Sequence, residues 1–289
     1  MKAKAIIAIA LTLIFADLAL AQSNDAKAKY NAGLTAKQAN NMAAAEKDLA
    51  EAVKLEPTYT SAWVELGTVQ FNLKKLPQAE ESFKKATTLD ASNQSAFYNL
   101  GMVQLAAKKY QLAEASLNKS LALKNADPET QKGLGQLYFQ QDNWDKAIEF
   151  YKKYNSANSS DAKSHFFLAK AYKEKGDLPS AEAEYQQAIK IDPKLADAHV
   201  NLGNLQMAQK KTGAAISSYK AAIAADRNMT LAYYALAGAY QENQNYDAAL
   251  ASYKDFVRLA EGKASMKTMV TNAKSIIAQI EAYLEQADQ

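Results

Sequence analysis

Cysteine is absent from the sequence, and its 289 residues hold only two histidines and five prolines. Without cysteine there is no disulfide, no thiolate metal site, no thiol nucleophile and no thiol to carry a lipid anchor. Neither sign of charge dominates. The 34 lysines and arginines face 31 acidic residues, so no strong field draws the chain to nucleic acid or anionic lipid. The spacings that carry common chemistries are missing as well. No G-x-S-x-G elbow and no G-x-x-x-x-G-K phosphate loop occur, and "GLGQLY" at Gly133 lacks the third glycine of a dinucleotide loop. With no nucleophile–base pair, the sequence is read as non-enzymatic, with no cofactor and no metal.

What is present starts with the N-terminus. Lys2 and Lys4 precede an apolar run from Ile6 to Phe15 that only Thr12 interrupts, and Ala19-Leu20-Ala21 follows before Gln22. That order is a secretory leader over residues 1–21 with an A-x-A cleavage site, leaving a short extension at 22–25. The other reading is a retained anchor. The run is well short of the roughly 20 residues a spanning helix needs, and Asp17 interrupts its far end. Export, a cysteine-free body and abundant lysine and alanine together suggest a bacterial periplasm, or otherwise secretion.

From Ala26 onwards the chain repeats itself. Seven consecutive blocks of 34 residues run without a gap: 26–59, 60–93, 94–127, 128–161, 162–195, 196–229 and 230–263. Position 20 is alanine in all seven blocks (Ala45, Ala79, Ala113, Ala147, Ala181, Ala215, Ala249). Position 8 is Gly33, Gly67, Gly101, Gly135, Ala169, Gly203 and Ala237, and position 7 is leucine in every block but the first. Position 24 is always large: Leu49, Phe83, Leu117, Tyr151, Tyr185, Tyr219 and Tyr253.

The spacing predicts two helices per block. Apolar residues at positions 4, 7, 8 and 11 share a face of the first helix, A, and those at 20, 24 and 27 share a face of the second, B. Small residues at 8 and 20 let the two backbones approach, with the large residue at 24 beside them. One such pair cannot bury its apolar face alone, whereas stacked pairs make one continuous core.

The pattern resembles the tetratricopeptide repeat, whose W-x2-L-G-x2-Y…A-x3-F…P signature spans 34 residues. Repeat two carries Trp63, Leu66, Gly67, Ala79 and Phe83; repeat five carries Leu168, Ala169, Tyr172, Ala181, Tyr185 and Pro193. The resemblance implies an all-α fold: a right-handed superhelical α-solenoid of seven helix-turn-helix units. There are departures. Proline at position 32 is kept only at Pro57 and Pro193, and Tyr154 and Phe256 replace the small residue usual at 27. Repeat one, with Lys29 and Ala36 on its inner face, reads as an exposed end.

After Gly262, residues 264–289 form a last helical stretch with Met266, Met269, Ala273, Ile276, Ile280 and Tyr283 three and four apart. It is expected to cap repeat seven. The alternative is a coiled-coil seam that dimerises the chain, but fewer than the three or four heptads that would argue for one are present. The two histidines, His165 and His199, both occupy position 4, one repeat apart. A shared metal site is not expected, because nothing else of ligand type shares that slot and zinc generally takes three or four protein ligands.

The family resemblance also implies where a partner binds. Positions 2, 5, 6, 9, 12 and 13 of helix A line its concave groove, which holds an extended or helical segment of another protein. Carried over, repeats two and three offer Val64, Phe71, Asn72, Tyr98, Asn99, Met102 and Leu105, with one charge, Glu65. Repeats four and five offer Lys132, Phe139, Lys163, Phe166, Lys170 and Lys173, with Glu129 and Glu174 as counter-charges. Repeat six adds Asn201, Asn204 and Met207, and repeat seven Tyr234. The carboxylate clamp of chaperone-docking relatives is not expected, since Gln136 and Phe167 stand where it needs asparagine. The reading is thus a protein-binding scaffold, expected as a monomer, with a protein or peptide partner and no nucleic acid. An accessory subunit of an enzyme or assembly complex, and a self-assembling structural protein, remain the alternatives.

Overall fold

The computed structural model describes residues 23–287; the expected leader and its cleavage site lie outside the described residues. Everything regular within them is helix. The A helices are α1 (23–38), α3 (Thr60–Asn72), α5 (Gln94–Ala106), α7 (Pro128–Gln140), α9 (Ala162–Lys175), α11 (Ala196–Ala208) and α13 (Thr230–Glu242). The B helices are α2 (Met42–Leu55), α4 (Leu76–Leu89), α6 (Tyr110–Leu123), α8 (Trp144–Ala157), α10 (Leu178–Ile191), α12 (Thr212–Ala225) and α14 (Tyr246–Ala260). A short 3-10 turn at Ala264–Met266 leads into α15 (Lys267–Ala287). No helix among the described residues is long and apolar enough to cross a membrane. The chain falls into two compact units, divided after Gln141. The first holds the hairpins α1–α2, α3–α4 and α5–α6 and the helix α7. The second holds α8, the hairpins α9–α10, α11–α12 and α13–α14, and α15.

Each hairpin turns the same way. In repeat two the Lys75 N–H donates to the carbonyl of Gln70 at 2.9 Å and the Lys74 N–H to that of Phe71 at 2.9 Å, closing helix A in a Schellman motif. That motif needs a left-handed residue at position 15, and Asn40, Lys74, Lys108, Asp142, Gly176, Lys210 and Gln244 all have positive φ. Only Gly176 is the residue type that adopts it without steric cost. Position 16 then starts helix B in one of two ways. Asn41, Asp177 and Asn245 cap α2, α10 and α14 with their side chains. Lys75, Lys109 and Lys211 make no cap; each reaches back one repeat instead, to Glu46 and Glu80 at 2.6 Å and to Glu182 at 3.1 Å.

The expected core holds. All seven position-20 alanines have no exposed area, and the large residues at position 24 are at most 3% exposed. The glycines at position 8 are needed for contact with them: a Cβ on Gly101 would stand 2.6 Å from Leu117 Cγ, and one on Gly203 2.6 Å from Tyr219 Cε1. Position 11 corrects the expectation of an apolar face. It holds buried glutamine in repeats two, three and six, and each amide oxygen accepts from a serine at position 23 at 2.7 Å: Ser82 to Gln70, Ser116 to Gln104, Ser218 to Gln206. A buried amide costs little once its carbonyl is paired.

Repeats meet through small residues the sequence reading passed over. Position 3 is Ala62, Ala96, Thr130, Ser164, Ala198 and Ala232, each with no exposed area. In the first unit the contact turns polar where Ser120 and Thr130 lie 2.9 Å apart and Asp127, capping α7, accepts from the Thr130 N–H at 3.0 Å. Burial would raise the Asp127 carboxyl, but Lys124 and Thr130 hold it below its ordinary value. The larger residues at position 27 are absorbed rather than expelled: Tyr154 donates to Asp161 at 3.0 Å, and Phe256 is fully buried. Phe256 belongs to the layer in which α15 lays Ala273 and Ile280 against Ala249, Tyr253 and Ala260 of α14. The centre of the sequence's possible dimer seam is thereby engaged within the chain.

Candidate functional site

Positions 5, 9 and 12 of helix A lie a turn or two apart, so they share one face, beside the one that meets helix B. In the first unit Val64 and Phe71 are half-buried against the layer of Ala79, Phe83, Leu100 and Val103. Tyr98, Asn99, Met102, Lys132 and Phe139 are half-buried, while Asn72 is exposed. Glu65 is not a free charge, since Lys37 donates to it at 2.6 Å. Leu105 corrects the expectation: at 3% exposure it is core, not groove surface. Here α7 packs directly on α5, because a Cβ at Gly133 would stand 3.1 Å from Met102 Sδ and its absence lets the helices close.

In the second unit Phe166 lies edge-on to Phe167 at 5.5 Å and tilted over Tyr185 at 5.9 Å, and the Lys170 ammonium stands 5.7 Å from the Phe166 ring centre. Lys173 pairs with Glu174 at 3.1 Å, and Lys163 is exposed. Three residues carried over as binding groups are already engaged by the fold. Asn201 donates to the Asp197 carbonyl at 2.8 Å, and Asn204 accepts from the Tyr219 hydroxyl at 2.7 Å. Tyr234 packs edge-on against Tyr253 at 5.5 Å and Phe256 at 5.0 Å. Met207 is half-buried in the adjoining layer. Burial pushes the Tyr219 and Tyr253 phenols up to about 12, so both stay protonated as donors near neutral pH.

The carried-over set also missed residues. A cleft of about 310 Å³ opens beside Val200, Met229, Leu231 and Met266, with Asp197 and Lys263 at its edge. Leu231 is 49% exposed and holds position 2 of repeat seven. The position rule that selected Lys163 would have found it.

Both histidines make hydrogen bonds within the chain. The His199 Nε2 lies 3.0 Å from the Pro193 carbonyl, which can only accept, so that nitrogen carries the proton. Trp63 makes the same bond to the Pro57 carbonyl at 2.8 Å, and Tyr233 to that of Arg227 at 3.3 Å. Position 4 is therefore a tether from helix A to the preceding inter-repeat turn. His165, where position 32 is Ser159, instead puts Nδ1 2.6 Å from Glu184. Among the described residues no group of three or more histidine, aspartate or glutamate side chains could hold a metal ion.

Family models confirm what the period implies. Tetratricopeptide repeat models match residues 30–96, 65–128 and 200–264, a further one matches 104–171, and a TPR repeat model matches 169–210. The chain belongs to the tetratricopeptide repeat family. No curated protein matches this tetratricopeptide repeat chain in sequence. Solved structures do match its fold. YrrB, described as a TPR protein with an unusual peptide-binding site, is 20% identical at a TM-score of 0.56 over 65% of this chain and 96% of its own. A tetratricopeptide repeat protein from Parabacteroides merdae is 17% identical at a TM-score of 0.64, covering 87% of this chain and 99% of its own. The C-terminal part of a TPR protein from Cytophaga hutchinsonii is 16% identical at 0.67, over 82% and 97%. At these identities the likeness is one of fold, and the tetratricopeptide repeat fold is that of a protein–protein interaction scaffold.

Proposed function

We propose that this chain is a non-enzymatic scaffold that binds segments of partner proteins on the helix-A face of its repeats. The observation that carries the reading is the set of half-buried Val64 and Phe71 on α3 and Tyr98 and Met102 on the corresponding face of α5 in the first unit. Aromatic and methionine side chains left partly uncovered on a rigid support are what peptide-binding surfaces use. YrrB, a structural relative, has a peptide-binding site by its description. In the second unit Lys163, Lys170 and Lys173 suit acidic residues. The apolar contacts supply affinity through buried area. The lysines mainly raise association rate and salt sensitivity, since exposed pairs are worth about 0–1 kcal/mol each.

The test uses synthetic aromatic-aliphatic peptides for the first unit and Asp/Glu-rich peptides for the second, with lysine-for-acid versions of the latter as control. Phe71→Ala with Tyr98→Ala is expected to weaken binding about tenfold or more at any salt, from the loss of two aromatic contacts. Lys170→Ala with Lys173→Ala is expected to weaken it mainly at low salt. If both variants, still folded by their melting temperatures, bind like the parent, the helix-A face is not the binding surface. The leader-like order of residues 1–21 supports action in the cell envelope, and N-terminal sequencing of the chain from cells tests this. A start at Gln22 is the expected result, and a start at Met1 refutes cleavage.

A further inference from the structure

The two ends of the repeat series are open in complementary ways. In every repeat from two to seven, position 3 of helix A is fully covered by the repeat before it. Repeat one has no such neighbour among the described residues: Ala28, at the same position, and Ala32, at the leucine position, are both exposed. There a cleft of about 410 Å³ is lined by Ala28, Ala32 and Leu55, with Asp25, Lys29 and Glu51 at its rim. Lys29 is paired within the chain, 3.1 Å from Asp48, and Glu51 lies 3.4 Å from Lys54, so Asp25 gives that rim its net acidic sign.

The opposite end is open for the converse reason. Continuing the 34-residue count past Lys263 makes α15 the helix A of an eighth repeat that has no helix B among the described residues. Positions 4, 7, 8 and 11 of that count are Lys267, Val270, Thr271 and Lys274, the face that helix B covers in the other repeats. A cleft of about 230 Å³ lies there, lined by these four residues with Ala260, Ala264 and Lys263. Its rim carries three lysines and no acid, although Lys274 pairs with Glu261 at 2.7 Å just outside.

We propose that the two ends bind each other between copies of this chain, head to tail. The acidic rim around Ala28 and Ala32 of one copy seats on the lysine rim around Val270 and Thr271 of the next, and each end buries apolar area that its own chain leaves uncovered. The occupant is a second copy because the chain itself carries both halves of the match: small and apolar floors, with rims whose net charges are opposite in sign. Electrostatic complementarity of this kind selects the partner and sets register. Such a contact is heterologous, so it leaves a free end after every addition and builds open chains rather than a closed dimer. It uses surfaces apart from the helix-A face, so peptide binding and self-assembly succeed or fail separately.

The test is light scattering on the purified chain across concentration and salt. The expected mass rises with concentration, passes twice the monomer mass without a plateau, and falls as salt screens the rims. Ala32→Arg blocks the acidic end and Thr271→Arg the basic end; both sites are exposed, and arginine is a good helix former. Each variant alone is expected to stay monomeric. Mixed, they are expected to form one-to-one dimers and nothing larger, through the one intact face each retains. A wild-type chain that stays monomeric throughout overturns the proposal, as does a mass that stops at a dimer. So does either arginine variant polymerising alone, or a mixture that fails to pair.

Discussion

Alanine at position 20 does its work by being small. With no exposed area at Ala181 and the ring of Tyr185 one turn on, three added carbons have nowhere to go without moving a helix. Ala181→Leu is expected to cost about 1–3 kcal/mol by overpacking. Ala214→Leu, on the exposed face beside the motif alanine Ala215, is expected to be nearly neutral. Thermal melts of the two variants compare them directly, and equal melting temperatures would mean the repeat phase is misplaced by a residue. Other residues act through one atom. His199, Trp63 and Tyr233 differ in chemistry, yet each brings an N–H or O–H to the same carbonyl of the preceding turn. That is why so varied a position accepts histidine, tryptophan and tyrosine alike.

At the scale of the element, the hairpin comes in two versions. Repeats two, three and six join a buried Gln–Ser pair inside the hairpin to a lysine that reaches the previous repeat's glutamate. Repeats four, five and seven carry tyrosine at position 11 and Asn143, Asp177 or Asn245 as the helix B cap. The Gln–Ser version makes a sharp prediction. Ser116→Ala strands the Gln104 carbonyl in the core and is expected to cost about 1–3 kcal/mol. Gln104→Leu combined with Ser116→Ala removes both partners and is expected to cost much less than the serine change alone. Urea unfolding of the two single variants and the double closes the cycle. Strict additivity would show that the bond contributes nothing. The exposed lysine of the second feature is a weaker device, worth about 0–1 kcal/mol. The Glu80 it holds between Lys84 and Lys109 titrates below its ordinary value because those ammonium groups outweigh its burial.

For the whole molecule, each repeat packs on its neighbours, so the ends govern solubility and the middle governs cohesion. Among the described residues α15 covers the layer of Ala249, Tyr253, Phe256 and Ala260 that repeat seven would otherwise leave to water. A chain ending at Lys263 is expected to melt at a lower temperature and to bind a hydrophobic dye more strongly. An unchanged melt and dye signal would show that α15 contributes little to covering that layer.

The sequence by itself determined the period, the helix pair in each block and the core positions. These depend on spacing within one repeat, where 34 residues recur in phase and small and large residues alternate in fixed places. The family resemblance, carried over position by position, placed Phe71, Tyr98 and Lys170 on the groove face of helix A. Tertiary structure alone decided what each of those side chains has left to offer. Leu105 is lost to the core, at 3% exposure. Asn204 and Tyr234 are taken up by tyrosines from helix B, and Glu65 by a lysine from the repeat before. Such pairings join residues 15 to 28 apart across two helices, at distances that the depth of packing sets. Whether a side chain faces solvent or a partner depends on how near the neighbouring helix comes, and helical periodicity carries no information about that.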